Sequence, residues 1–297
     1  MKFIFKKPLH TLIILLIIGF IQIEVSAQSQ TNNQSESNYD TLKDVSYGSD
    51  AEQNMDIYLS NVKTQNYTVV FLHGGGYYFS DKSKEERYIQ PYLERGFNVV
   101  NLNYRLKRGI PIATEDLTIA LNFLKSKNAE YPLNLDQIVV TGFSAGAHIA
   151  TNVGVSQNDK NYPNKLEKGI NIVGIVNFSG PVDGLDVVEK VFSDNEMEVM
   201  QTIGKALFPE TEDYAPIETI SVYEPITYLD KKDPPVFLWH GGLDEQIPPK
   251  TFEAFVERLN NDSNKNVVIF DPEAGHSPSN ESLAVSYKKI FDFIDGL

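Results

Sequence analysis

Apolar residues along the chain fall into short runs separated by longer periodic stretches. The runs are Val69–Leu72, Asn98–Leu102, Ile138–Val140, Ile172–Phe178, Val236–Trp239 and Val267–Phe270. They are rich in β-branched residues and show little polar alternation, which is the pattern of strands buried on both faces. Helical patterns lie between them, over Lys84–Arg95, Thr114–Asn128, Ala145–Val155, Thr251–Asn260 and Glu281–Ile294. Leu117, Ala120, Leu121 and Leu124 illustrate the helical spacing. Strands alternating with helices predict parallel βαβ units and a doubly wound, mostly parallel sheet with helices on both faces. Residues 42–59 read differently. Met55, Ile57 and Leu59 alternate with polar residues, as in antiparallel edge strands.

Two segments stand outside this alternation. Pro181 to Pro235 is helical in part, over Val187–Leu207, and then loop-like with several prolines. It reads either as a small cap over the sheet's C-terminal edge or as ordinary crossover helices. The first 27 residues have a basic start (Lys2, Lys6, Lys7), an apolar stretch from Leu9 to Ile23, and small residues at Val25-Ser26-Ala27. That layout is a cleavable secretory signal, with an uncleaved anchor as the alternative. Residues 28–41 (QSQTNNQSESNYDT) are polar and aperiodic and read as a flexible leader. The remaining residues, 42–297, form one expected domain.

Charge and cysteine content narrow the chemistry. The 297 residues carry a net charge of −14, and no cysteine is present. Residues 1–27 hold three Lys and one Glu, so the rest has 23 basic and 39 acidic residues, a net −16. Such a surface repels nucleic acid and anionic lipid. Lack of cysteine removes disulfides, thiolate nucleophiles and zinc–thiolate sites together. An exported chain of this kind, periplasmic or extracellular, must be held by its core alone.

Glycine-flanked polar residues follow four of the apolar runs. Gly142-Phe143-Ser144-Ala145-Gly146 lies between a strand pattern and a helix pattern, the setting in which G-x-S-x-G lifts a nucleophilic hydroxyl above a sheet. Side chains at the two glycines would clash with neighbouring elements. His73-Gly74-Gly75-Gly76 follows Val69–Leu72. Bare N–H groups of Gly75 and Gly76, with that of Ala145, can converge as an oxyanion hole. No Gly-Lys-Ser/Thr follows, so a phosphate loop is not indicated, and no dinucleotide fingerprint is present. Asp244 comes just past the run Val236–Trp239, with Glu245 as its adjacent alternative. His276 lies in a loop past Val267–Phe270. His10 is in the leader, His73 and His240 lie inside their own loop motifs, and His148 points away from the serine. His276 is therefore the expected base. The order Ser144, Asp244, His276 is that of the α/β-hydrolase fold. No metal or cofactor is required.

These motifs carry a resemblance. HGGGYY, the NYRL stretch at Asn103–Leu106, GFSAGAHIA, HGGLDEQIPP and Gly275-His276 resemble hormone-sensitive-lipase-type esterases, most of all the branch with acetyl xylan and feruloyl esterases. GFSAGAH is also similar to bacterial kynurenine formamidases. The resemblance covers roughly residues 45–297. It implies a serine esterase with Ser144, Asp244 and His276 as triad and Gly75, Gly76 and Ala145 at the oxyanion. The implied substrate is a small-molecule or oligosaccharide ester, with acetyl or feruloyl groups on carbohydrate. The motifs do not indicate an oligomeric state.

The signal-like start yields a direct expectation. The exported protein should begin near Gln28, and its intact mass should match residues 28–297; a mass equal to the full chain identifies an anchor instead.

Overall fold

Burial on two faces explains the unbroken apolar runs. In β3 (Thr68–Leu72), Val70 and Leu72 face one core while Val69 and Phe71 face another. The computed structural model describes residues 38–62, 65–209, 217–261 and 265–297. The segment read as a signal, 1–27, and most of the leader lie outside the described residues.

Eight strands form one sheet among the described residues, in the order β1-β2-β4-β3-β5-β6-β7-β8. Besides β3 they are β1 (Tyr39–Ser46), β2 (Asn54–Ser60), β4 (Asn98–Leu102), β5 (Ile138–Phe143), β6 (Ile172–Phe178), β7 (Val236–Gly241) and β8 (Val267–Asp271). From β4 to β8 every pairing is parallel. This is the mostly parallel sheet expected from the alternation. The helices are α1 (Glu86–Glu94), α2 (Gly109–Ser126), α3 (Ala145–Ser156), α4 (Leu185–Ser193), α5 (Glu198–Leu207), α6 (Pro225–Tyr228), α7 (Glu253–Asn260) and α8 (Asn280–Asp295). Residues of α1 and α8 cover one sheet face, where Tyr88, Tyr92, Tyr287 and Ile290 meet Phe71, Phe178 and Trp239. Residues of α2, α3, α4, α5 and α7 cover the other.

Several boundaries differ from the sequence reading. Strand β1 begins at Tyr39, inside the segment 28–41 read as leader. It pairs antiparallel with β2 from Tyr39↔Ser60 to Ser46↔Asn54, with a bulge between Leu42 and Val45 where Asp44 has φ 53°. The bulge breaks the period of two, so only every third residue turns inward and the alternation is lost. Of the two strands expected at an edge, β1 is there, whereas β2 also pairs antiparallel with β4. Helix α2 starts at Gly109, five residues before its expected start. Pro111 sits in the first turn, where no N–H is needed. The helical stretch expected over Val187–Leu207 is two helices, α4 and α5. His240, expected in a loop, is a residue of β7.

The described part of segment 181–235 makes two kinds of contact. Short α6 packs on α3, as a crossover element does. Helix α5 instead reaches the glycine loop after β3: a Cβ on Gly76 would lie 2.6 Å from Ile203.

A buried charge cluster joins the end of β4 to α2. Asp116 has no solvent exposure. Its carboxylate accepts from the Arg105 backbone N–H (2.7 Å), from the Arg105 guanidinium (2.6 Å) and from Gln53 (2.8 Å). Next to Arg105, Tyr104 stacks on His73 at 4.4 Å and donates to the His73 carbonyl, so the cluster supports the glycine loop from below. Removing one partner of such a pair leaves a poorly solvated charge. Asp116→Ala should lower stability by about 3–5 kcal/mol in urea denaturation; a loss under about 1 kcal/mol, the size of an exposed pair, would contradict this account.

Candidate active site

Parallel strands bring their C-terminal ends to one edge of the sheet, and loops leaving that edge hold the glycine-flanked residues. Ser144 lies between β5 and α3 with φ 52° and ψ −121°. A non-glycine residue in that region stores about 1–3 kcal/mol of strain. The turn is possible only because its neighbours lack side chains. A Cβ on Gly142 would lie 2.4 Å from the Gly146 backbone, and one on Gly146 would lie 2.2 Å from the Leu72 carbonyl oxygen. The clash inferred from sequence is therefore real at both positions.

The three residues expected to form a triad are brought together. His276 Nε2 is 2.8 Å from Ser144 Oγ, and His276 Nδ1 is 2.8 Å from Asp244 Oδ2. Asp244 is buried, and its other oxygen accepts from the Gln246 and Ile247 backbone N–H groups, each at 2.9 Å. With the carboxylate so fixed, Nδ1 carries the imidazole proton and Nε2 is left to accept from the serine hydroxyl. Glu245 is exposed and makes no contact with His276.

Gly75 and Gly76 have φ +109° and +60°, and a Cβ on Gly75 would lie 2.0 Å from the Phe79 carbonyl oxygen. The Gly75 carbonyl closes the turn by accepting from Tyr78 and Phe79, both at 3.1 Å. Gly74 N–H donates to Glu85, whose half-buried carboxyl is shifted upward by burial. Among the described residues, no acceptor engages the N–H groups of Gly75, Gly76 or Ala145.

The other described histidines are buried and structural in their contacts. His73 bonds the Gly74 carbonyl at 2.6 Å. His148 bonds Tyr77 and the Tyr223 carbonyl. His240 stacks on Phe252 at 3.9 Å, with Nδ1 3.8 Å from Asp244 Oδ2. The place of His240 beside the acid was not read from sequence. Its four-residue separation from Asp244 was the available signal, hidden by assigning it to a loop.

Comparison with known proteins agrees with this architecture. The BD-FAE family profile matches residues 55–259. The chain is 22% identical over 211 residues to endo-1,4-beta-xylanase B of Butyrivibrio fibrisolvens, covering 69% of this chain and 31% of that protein. It is 24% identical over 260 residues to esterase LipC of Mycobacterium tuberculosis, covering 85% and 60%. A solved bifunctional GH43-CE protein of Bacteroides eggerthii superposes with a TM-score of 0.70 at 25% identity, covering 86% of this chain and 35% of that one. The chain thus spans less than two thirds of each of these relatives.

Burial pushes His73, His148 and His240 down from the ordinary imidazole value of 6.5 to about 4. In the unfolded chain they regain protons near pH 6.5, while the folded protein stays unprotonated until about pH 4. Stability should therefore be full above pH 6.5 and fall as pH drops toward 4. Urea denaturation between pH 7.5 and 4.5 should show a slope approaching about three protons, reduced by about one in His240→Phe. A flat profile would contradict the buried neutral state.

Proposed function

The chain belongs to the BD-FAE family, and from that premise we propose that it is an exported serine carboxylesterase acting on short acyl esters, acetyl or feruloyl, of carbohydrate. The observation that carries the reading is the unbroken hydrogen-bonded series Ser144–His276–Asp244. His276 takes the Ser144 proton as Oγ attacks the ester carbonyl carbon. Gly75, Gly76 and Ala145 N–H groups bind the oxyanion, each such donor contributing about 10²–10³ in rate. Asp244 stabilises the imidazolium. The C–O bond to the leaving alcohol then breaks, and His276 protonates that alcohol. Water, activated by the same imidazole, attacks the acyl-enzyme and releases the acid.

Substrate class rests on the family and on the company its members keep. One relative's name is a xylanase and another's an esterase. The strongly acidic composition disfavours attraction to anionic lipid interfaces. Among the described residues, no helix is long and apolar enough to cross a membrane.

Ser144→Ala should lower kcat/KM for p-nitrophenyl acetate by several orders of magnitude without unfolding the protein; retention of more than about a tenth of the rate would refute the nucleophile. The wild type should favour acetate over octanoate and release acetate from acetylated xylan. Preference for octanoate, or rapid turnover of N-formylkynurenine with none of xylan, would instead indicate a lipase or a formamidase.

A further inference from the structure

His148 sits four residues after Ser144 in α3 and is fully buried. Its ring joins two segments remote in sequence. Nδ1 lies 2.7 Å from the Tyr77 hydroxyl, and Nε2 lies 2.6 Å from the Tyr223 carbonyl oxygen. A carbonyl can only accept, so Nε2 carries the proton. Burial keeps the ring neutral, with its pKa lowered to about 4. Nδ1 is then a lone pair, and Tyr77 is the donor. Direction is thus set along the whole contact, from Tyr77 through His148 to Tyr223.

Both ends of this series matter to the site. Tyr77 directly follows Gly76 and holds φ +58°, a left-handed backbone that a tyrosine adopts only under constraint. Its carbonyl accepts from Lys107 N–H at 2.7 Å, and its ring meets the His148 ring edge-on at 6.0 Å. Tyr223 ends the 3-10 turn Ile217–Tyr223 in the segment that follows β6. The next residue, Glu224, accepts from Leu185 N–H at 2.9 Å, at the start of α4. Ile203 of α5 also lies against Gly76, where a Cβ would come within 2.6 Å of it. The glycine loop is therefore met twice by segment 181–235, once directly and once through His148.

We propose that His148 is a positioning residue that sets the aim of the Gly75 and Gly76 N–H groups by tying the glycine loop to segment 181–235. The proposal rests on the esterase reading for its rate effect, but not for its structural effect. Neither histidine nitrogen reaches the reacting atoms. Their role is to keep the donors where charge will develop, and a displacement of about 1 Å there costs up to about 100-fold in rate.

Three variants test it. His148→Phe removes both hydrogen bonds, Tyr77→Phe removes one, and His148→Gln retains an amide oxygen to accept and an amide N–H to donate. His148→Phe and Tyr77→Phe should each lower kcat for p-nitrophenyl acetate about 10- to 100-fold. KM should stay within about threefold, since ground-state binding is untouched. The double variant should be no slower than the slower single one, because both cut the same connection. His148→Gln should restore most of the rate. Amide hydrogen exchange supplies a readout that needs no turnover: His148→Phe should raise exchange in residues 75–79 and in residues 220–229 together. Unchanged exchange in either segment, additive rate losses, or a glutamine variant as slow as the phenylalanine one would overturn the proposal. Ser144→Ala assayed in parallel isolates the esterase reading. If it matches the wild type, that reading fails, while the exchange data still decide the role of His148.

Discussion

Ser144 is held in a backbone conformation that an isolated peptide would leave at once, and much of the molecule exists to keep it there. The restraint is lateral. Ser144 N–H donates to the Phe178 carbonyl at 2.8 Å, and Ser179 N–H donates to the Trp239 carbonyl at 3.0 Å. The sheet's hydrogen bonding thus continues one residue past the formal ends of β5 and β6. Ser179 shares the positive φ, at 54°. The glycine that follows the Ser144 turn, Gly146, also brings α3 against the backbone at the end of β3, since a Cβ there would lie 2.2 Å from the Leu72 carbonyl oxygen and 2.5 Å from that of His73. Strain at one residue and close helix–strand approach are two aspects of one packing solution.

Burying carboxylates in so acidic a chain is the second constraint. Repulsion from the many other acidic groups and loss of hydration both oppose it. Asp244 and Asp116 answer with local donors: two backbone N–H groups and an imidazole for the first, a guanidinium, a backbone N–H and an amide for the second. Each carboxylate then acts as a rigid acceptor. One orients the imidazole that faces the nucleophile. The other secures the residues beneath the glycine loop.

Segment 181–235 connects these two systems to the covering layer. Helix α6 lies on the nucleophile helix, α5 touches the glycine loop, and the Tyr223 carbonyl meets His148 between them. The described part of the segment is thus fastened to both the helix after Ser144 and the glycine loop. Differences in acyl specificity among chains of this architecture can therefore arise without any change in the residues that do the chemistry.

Strands, helices and the meeting of Ser144, Asp244 and His276 were readable because their signals are local. Apolar runs report burial on two faces, and glycines beside a polar residue report a turn that admits no side chain. Position past a strand end then favoured Asp244 over Glu245, and a free post-strand loop favoured His276 over the four other histidines. What sequence could not reveal depends on contacts between distant positions. The bulge at Leu42–Val45 obscured where β1 starts, because it destroys the periodicity by which a strand is recognised. His240 moved from loop to strand and came to rest beside Asp244. His148, correctly placed away from the nucleophile, was found only in three dimensions to span Tyr77 and Tyr223, 71 and 75 positions away. Local pattern encodes which residues must be buried and which turns are sterically possible. Only the packed tertiary structure decides which buried polar groups meet, because each must find a partner across the fold or lose its hydration uncompensated.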